Sequence, residues 1–242
     1  DLNSSNNNYL HNVDFGYFTP FGLKIGVSYT NYEMPENQNL EGEIAGERKD
    51  YLVESGQKIH KWDLTADQSH SFKTTWGVNY GAQMQITKHK SWQNTFLHSG
   101  EPVEGGTSSI SYTERISSFY ASLSNRWEKV SAEIGVQAEN YHTPDWNKWH
   151  IYPNLNVTWK PNENHVLTFS LSSYAKYPSY WWMMNTVYHS SPYSESWGNP
   201  NLKPQNKYNI TANWRLYRRF IINAIYYISD SWVIRMPYQP SD

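Results

Sequence analysis

The sequence predicts an all-β protein whose antiparallel strands run up and down, and a two-residue periodicity is the main reason. From Thr75 to Thr87, Trp, Val, Tyr, Ala, Met and Ile fall on one face, and Thr, Gly, Asn and Gln fall on the other. The same alternation recurs at 23–30, 130–139 and 208–216. This period is typical of strands with one apolar and one polar face. No stretch carries a 3.6-residue period, so we predict no helix.

The alternation and the turn residues that interrupt it place about ten strands along the chain. These lie at 9–18, 22–32, 58–68, 73–89, 109–126, 130–141, 149–160, 165–175, 206–217 and 220–235, with a short extra strand at 49–54. Five short turns, near 20, 70, 128, 162 and 218, alternate with longer connections at 33–57, 90–108, 142–148 and 176–205. We therefore expect all tight turns at one end of the sheet and all long loops at the other.

The connection at 177–207 is unusual in its composition. It holds four of the twelve Pro residues and three of the twelve Trp residues of the chain. The prolines remove backbone donors and disfavour helix in the residues before them, so the sequence predicts neither a helix nor a ladder strand here. A merely solvated loop would not carry so many large rings. We therefore predict a long, structured loop between two strands.

Two environments are compatible with strands of this kind. In a soluble sandwich or small barrel the apolar face forms the core, whereas in an outer-membrane barrel it faces lipid and the polar face lines a wet lumen. Strand length favours the membrane, because about 17 residues at roughly 3.3 Å each would reach about 55 Å. The alternation of short and long connections matches periplasmic turns and extracellular loops. Aromatic residues also lie beside the short turns, where an interfacial girdle belongs: Tyr17, Phe21, Phe72, Trp127, Trp159 and Phe220.

Composition argues against several other classes of protein. Aromatic residues make up 17% of the chain, and the net charge of -2 gives no basic footprint for nucleic acid. Cysteine is absent, and the nine His residues show no metal-ligand spacing, so we expect no metal and no cofactor. No run of about 18 apolar residues could form a membrane helix. Nucleophile elbows and phosphate loops are also missing, so we do not expect an enzyme.

The stretch YPSYWW…WGNPNLKPQNKYNITANW contains a Gly-Asn-Pro-x-Leu-x-Pro element, which consists of Gly198, Asn199, Pro200, Leu202 and Pro204. It resembles the signature of the TonB-dependent outer-membrane receptors, in particular of the subgroup called outer-membrane β-barrel family proteins. The hairpins at 114–141 and 151–180 are similar to two consecutive hairpins of that family. The resemblance extends over roughly residues 9–235.

The resemblance implies that residues 1–242 form one partial domain, an antiparallel up-and-down transmembrane β-barrel with about ten strands of a larger barrel. Members of the family have about 22 strands around a plug domain, and no plug segment or C-terminal aromatic residue is present in this sequence. The resemblance thus implies that the chain is a central-to-late portion of a barrel wall. Its implied partners are outer-membrane lipid, a plug domain, the TonB system and an extracellular ligand. The implied location is the bacterial outer membrane.

The implied function is TonB-dependent uptake of a large ligand: a siderophore, an oligosaccharide, vitamin B12 or a peptide. Two alternatives stay open on the residues alone. One is a soluble carbohydrate-binding β protein, and the other is a surface or adhesion barrel that does not transport.

The ligand-binding candidates are the rings of the long loop, which could stack on sugars or aryl groups. They are Trp181, Trp182, Tyr188, His189, Tyr193 and Trp197. The competing interpretation is that these rings only pack the loop onto itself and onto the barrel mouth. Glu133 and Glu139 are predicted to lie on the lumen side of one strand, where a solvated polar wall is a better interpretation than an acid–base pair.

Overall fold

The fold is dominated by one large antiparallel sheet. A computed structural model of the chain describes residues 2–44, 47–73, 75–144, 146–183, 187–191, 194–234 and 236. Within these residues the chain forms thirteen strands and one helical turn. None of the helical residues described belongs to a helix that is long and apolar enough to cross a membrane.

The elements follow one another along the chain with few interruptions. The strands are β1 (Leu2–Asn6), β2 (Tyr9–Phe18), β3 (Lys24–Ile44), β4 (Glu47–Phe72), β5 (Trp76–Leu97), β6 (Ser108–Arg126), β7 (Val130–Thr143), β8 (Trp146–Asn162), β9 (His165–Lys176), β10 (Val187–Ser191), β11 (Ser194–Trp197), β12 (Gln205–Leu216) and β13 (Phe220–Ser229). The helical turn α1 (Tyr180–Met183) lies between β9 and β10.

Each long strand pairs with the next one in the chain, as predicted for an up-and-down sheet. The order is β3–β4–β5–β6–β7–β8–β9–β12–β13, and both β1 and β2 pair with β3. Strands β10 and β11 form a separate two-stranded sheet. In the described part of the chain, no pairing joins β2 to β13, so the sheet has an edge at each of these strands. The predicted fold class is confirmed, with all ten predicted strands present.

The prediction of long loops at one end is wrong in two places. Residues 33–57 were expected to connect two strands, but β3 and β4 stay paired from Lys24↔Asp67 to Ile44↔Glu47. The connection 142–148 is also short, because β7 and β8 pair up to Thr143↔Trp146. Between 90 and 108 the strand continues to Leu97, which shortens the loop. Backbone pairing continues above the alternating part of these strands, where apolar side chains such as Leu40 and Val53 do not alternate regularly with polar ones and the sequence pattern fades.

The loop at 177–207 also departs from expectation. It contains one helical turn, α1, and a small hairpin in which Val187 pairs with Trp197. Both elements fit between its prolines, because Pro178 precedes α1 and Pro200 and Pro204 follow the hairpin. The prolines therefore limit the length of regular structure in this segment but do not exclude it.

On the large sheet, the polar face is more buried than the apolar face, as expected for a sheet that spans a membrane. Along β6, Glu114, Ile116 and Ser118 are buried, whereas Arg115 and Phe119 are exposed. Among the described residues, buried side chains include fourteen polar or charged ones against six apolar ones. We call the polar face the inner face, because the segment 177–183 packs against it. A soluble protein would show the opposite arrangement, with its large apolar side chains buried.

The outer face ends in exposed aromatic rings beside the short turns. All six predicted girdle residues are exposed, from 44% at Phe72 to 70% at Phe21. Three of the outer rings touch in a row: Trp76 lies 6.2 Å from Phe72 and 6.2 Å from Trp127, measured between ring centroids. Rings of this kind are stable at a membrane interface, since one edge is apolar and the other can stay wet.

Glycine at position 81 makes room for a neighbouring strand. Gly81 pairs with Asp67 on one side and Tyr120 on the other. A Cβ at this position would lie 2.6 Å from the carbonyl oxygen of Ala66 and 2.6 Å from Cζ of Tyr120. The inner face at this point is therefore close-packed across three strands.

We expect Gly81→Ala to lower the free energy of unfolding by about 1–3 kcal/mol, because the backbone oxygen of Ala66 cannot move aside cheaply. Urea unfolding in lipid vesicles would measure it. Gly16→Ala is the matched control, since it lies on the same face of β2 and its Cβ would meet nothing within 4 Å. Equal effects in the two variants would show that the steric account of Gly81 is wrong.

Candidate functional site

The long loop turns back into the interior, and two tyrosines hold it there. Tyr177 follows β9 directly, and Tyr180 opens α1. The Tyr177 hydroxyl donates a hydrogen bond to Glu139, and the Tyr180 hydroxyl donates one to Glu114. Both acceptors lie on inner-face positions of neighbouring strands, β7 and β6. The loop is thus attached to the wall of the sheet and does not extend away from it.

Glu114 is a buried carboxylate with two phenol donors. Its exposure is 4%. Besides the hydrogen bond from Tyr180, it accepts one from the Tyr141 hydroxyl at 2.9 Å. Burying a carboxylate is costly unless hydrogen bonds replace its water, and these phenols are such replacements. Glu114 therefore joins the loop to β6 and β7 at one point.

Glu139 has the same role one strand further along. It accepts hydrogen bonds from Ser118 Oγ at 2.9 Å and from Gln137 Nε2 at 2.9 Å, as well as from Tyr177. The expectation that Glu139 belongs to a solvated polar wall is wrong, because its exposure is 8% and its hydrogen-bond partners are protein groups. Glu133 does follow that expectation, since it is exposed on the inner face.

Ring contacts complete the attachment of the loop. His89 is buried and stacks on Tyr180, with ring centroids 5.0 Å apart and planes 14° from parallel. The Tyr141 and Tyr177 rings lie 4.8 Å apart. The Tyr112 hydroxyl lies 3.9 Å from Sδ of Met183, which is buried at the end of α1. These contacts form a small core above the polar part of the inner face.

The protonation state of Tyr180 suits its role as a donor. Burial raises the pKa of this phenol far above its usual value, and the negative charge of Glu114 raises it further. Burial and the hydrogen bond to Glu139 raise the pKa of Tyr177 in the same way. Both hydroxyls therefore keep their protons at neutral pH and act there as hydrogen-bond donors.

Five of the six predicted ligand-binding residues lie in the described part of the chain, on three short elements of the loop. Trp197 ends β11 and is 76% exposed, and Trp182 in α1 is 39% exposed. Trp181 is part of α1, and Tyr188 and His189 are part of β10. Tyr193 lies outside the described residues. The rings that pack the loop are therefore Tyr177 and Tyr180, which sequence reasoning missed, while Trp182 and Trp197 stay accessible.

The sequence contained a signal for the buried acceptor Glu114, but none for its partner Tyr180. Glu114 is the acidic residue in an inner-face row of β6 that also contains Tyr112, Ile116 and Ser118. A carboxylate beside apolar neighbours on a polar face indicates burial with a partner. Its partner Tyr180 is 66 residues away in sequence, and this pairing was not predictable from local pattern.

The Gly-Asn-Pro element forms a turn that returns the chain to the sheet. The backbone N–H of Asn199 donates to the carbonyl oxygen of Trp182 at 2.7 Å. The Asn199 side chain accepts from the N–H of Asn201 at 2.9 Å, which closes a local turn. After Leu202 and Pro204 the chain enters β12 at Gln205. Gly198, Asn199 and Pro200 thus connect the helical turn to the next strand.

Metal chemistry has no support in the described part of the chain. Its His, Asp and Glu side chains form no group of three or more that could hold an ion. What the inner face offers instead is a wet, hydrogen-bonding wall with exposed rings at its long-loop end.

An antiparallel sheet with an exposed apolar outer face, an aromatic girdle and a polar, hydrogen-bonded inner face defines the wall of a transmembrane β-barrel. The chain belongs to the outer membrane protein beta-barrel family, whose sequence model matches residues 22–242. Its location is accordingly the bacterial outer membrane, so the soluble carbohydrate-binding alternative is wrong. No curated protein sequence matches the chain.

Solved structures of outer-membrane receptors share the fold. The siderophore receptor PirA from Acinetobacter baumannii superposes with a TM-score of 0.58 at 14% identity, covering 92% of this chain and 34% of the receptor. The pyoverdine receptor FpvA from Pseudomonas aeruginosa PAO1 gives a TM-score of 0.54 at 12% identity, covering 93% and 36%. The RagAB peptide importer gives 0.57 at 10% identity, covering 94% and 30%. The chain thus spans about a third of the length of these proteins, and the resemblance to outer-membrane receptors is confirmed in family and fold.

Proposed function

We propose that the chain forms part of the barrel wall of a TonB-dependent receptor that takes up a large ligand from outside the cell. The observation that carries this proposal is the loop at 177–204. It is attached inside the barrel by Tyr177 and Tyr180 and presents Trp182 and Trp197 to solvent. A rigidly held loop with accessible rings fits a ligand-binding element at the barrel mouth.

The rest of the proposed receptor follows from the edges of the sheet. Every residue of β2 and all but the last residue of β13 are exposed, and a barrel wall must pair such edges with further strands. We infer that residues 1–242 are one part of a larger barrel, and that a plug domain occupies its lumen. Uptake then requires energy passed from TonB to that plug. The long-loop end is the extracellular one in this arrangement.

The ligand class remains that inferred from the resemblance: a siderophore, an oligosaccharide, vitamin B12 or a peptide. Flat rings are suited to aryl and sugar groups, since both present faces on which an indole can stack. Trp182, Trp197 and the other predicted loop residues, Trp181, Tyr188, His189 and Tyr193, are the positions that we propose for ligand contact.

The test is uptake by cells that express the parent protein. Iron-loaded siderophores, maltooligosaccharides, vitamin B12 and short peptides form the panel. We expect one of them to accumulate only in energised cells that contain TonB. Surface binding without accumulation for every compound would instead favour a non-transporting surface barrel.

Trp182→Ala and Trp197→Ala are expected to weaken binding of the compound that is taken up by about two- to tenfold each, as for the loss of an aromatic contact of about 0.5–1.5 kcal/mol. Equilibrium binding to purified protein would measure this. Trp149→Ala is the matched control, because Trp149 is 58% exposed on the outer face near the same end. Unchanged affinity in both loop variants would remove the proposed role of these rings.

A further inference from the structure

Two lysine side chains converge on a single indole at the long-loop end of the inner face. Lys148 Nζ lies 4.5 Å from the centroid of the Trp146 ring, and Lys203 Nζ lies 4.7 Å from the same centroid. Trp146 and Lys148 are two residues apart at the start of β8 and therefore point to the same side. Lys203 arrives from a different part of the chain, just before β12. The arrangement thus depends on the tertiary fold.

This side of β8 is the inner one. Lys148 pairs with Tyr141, whose hydroxyl binds Glu114, and Glu139 on the same face of β7 pairs with His150. The lysines and the indole line a cavity of about 230 Å³ together with His150, Tyr152 and Asn206. Tyr152 is buried, and its hydroxyl donates a hydrogen bond to Asn206 Oδ1 at 2.7 Å.

The carboxylates that line this cavity are already occupied by neutral donors. Glu139 accepts from Ser118, Gln137 and Tyr177. Asp230 accepts from the backbone N–H of Asn206 at 2.8 Å and from the side chain of the same residue. In the described residues, the salt bridges involve Lys58 and Lys61 but neither Lys148 nor Lys203. Two cations therefore face the cavity with an indole as their shared contact.

An indole can hold ammonium groups in place, but it does not neutralise them. The attraction between a cation and an aromatic face is weak at an exposed site, and two like charges near one ring repel each other. An anion in the cavity that both ammonium groups line would offset the charge of both.

We propose that Trp146, Lys148 and Lys203 form an anion-binding site at the mouth of the barrel, which takes the carboxylate or phosphate groups of a soluble ligand. This proposal rests on the proposed receptor function and narrows its ligand to an anionic one. The volume of the cavity suits a small polyanion or the charged end of a larger ligand. Lipid headgroups carry the same chemistry, but they meet the outer face, whereas these lysines face inward.

The test is isothermal titration calorimetry of the full-length protein in non-ionic detergent, with citrate and inorganic pyrophosphate as separate probes. We expect saturable binding of at least one probe that weakens as salt is added. Lys148→Met and Lys203→Met should each weaken it at least about threefold, because both ammonium groups are solvent-accessible. The double variant should show no saturable binding. Lys148→Arg keeps the positive charge and should retain the binding that Lys148→Met weakens. Lys88→Met is the control, since Lys88 is exposed on the outer face of β5.

Three results would overturn the site. These are no saturable binding of either probe up to millimolar concentration, equal losses in the Lys88 control, or unchanged affinity in the double variant. Measurements in nanodiscs of neutral and of anionic lipid distinguish the two possible sources of the bound anion, a soluble ligand and a lipid headgroup. Loss of citrate binding only in anionic nanodiscs would identify a lipid headgroup as the occupant and contradict a soluble ligand.

The outcome can be separated from that of the transport proposal. Calorimetric binding needs neither TonB nor an energised cell. Anion binding without energised uptake would contradict the transport function alone. Uptake of an uncharged compound with no citrate or pyrophosphate binding would contradict the anion site alone.

Discussion

Glu114→Ala is expected to release the long loop from the interior while the barrel itself stays folded. The substitution leaves the hydroxyls of Tyr141 and Tyr180 without their acceptor at a buried position. Hydrogen bonds to a carboxylate are worth about 1.5–3 kcal/mol, and an unpaired buried donor adds about 1–3 kcal/mol to the loss. We therefore expect the substitution to lower the free energy of opening of the segment 177–204 by about 3 kcal/mol.

Hydrogen exchange of backbone amides measures this directly. Faster exchange should be confined to α1 and its neighbours, since local opening does not require the long strands to separate. Heat-modified mobility on a gel would show that the barrel remains folded. Glu133→Ala is the matched control, because Glu133 is an exposed carboxylate on the same inner face. Unchanged exchange at Tyr180 in the Glu114 variant would mean that this carboxylate does not hold the loop.

Ile134→Lys is expected to destabilise the folded protein in a bilayer by about 2–4 kcal/mol. Ile134 is 61% exposed on the outer face of β7. It lies a few residues above the short turn at Trp127, which places it near the middle of an apolar band about 25 Å tall. At that depth an ammonium group loses water and gains no protein partner, so its cost is largest there.

Urea unfolding from phosphatidylcholine vesicles would give the difference in free energy. Glu133→Lys is the control, because it introduces the same side chain at the neighbouring position but on the wet inner face. We expect its effect to stay below about 1 kcal/mol. Equal destabilisation by the two variants would contradict the assignment of the outer face to lipid.

Much of the fold was predictable because strand alternation is a local property. The row Trp76, Val78, Tyr80 on one side of β5, and Gly77, Asn79, Gly81 on the other, identifies a strand with two different faces without any knowledge of its partners. Five aromatic–turn combinations likewise indicated the membrane-interface end. The outward exposure of residues such as Phe21 then confirmed them.

Regions above the membrane band were less predictable, for a physical reason. Between 33 and 57 apolar side chains such as Leu40 and Val53 do not alternate regularly with polar ones, so no apolar row marks the strands. Their pairing is held by backbone hydrogen bonds between β3 and β4, which impose little demand on side-chain type. Pro35 and Gly56 pair across this hairpin at positions where sequence rules predict a break.

The candidate site was also predictable from the sequence only in part. Sequence composition alone indicated that the 177–207 loop is structured and aromatic, and the Gly-Asn-Pro element indicated its return to a strand. Which rings face inward depended on Glu114 and Glu139, whose partners lie 66 and 38 residues away. The same holds for Lys203, which reaches Trp146 only after the loop has folded back.

The sequence by itself determined the strands, the two faces of the sheet and the end that carries the aromatic girdle. These follow from period-two alternation and from the partition of apolar groups away from water. Only the tertiary structure decided that the start of the long loop packs against the inner face of the sheet, where Tyr177 and Tyr180 hold it, and that Trp182 and Trp197 stay accessible. Those contacts join residues far apart in the chain, so strand register and loop closure, which no local pattern encodes, determined them.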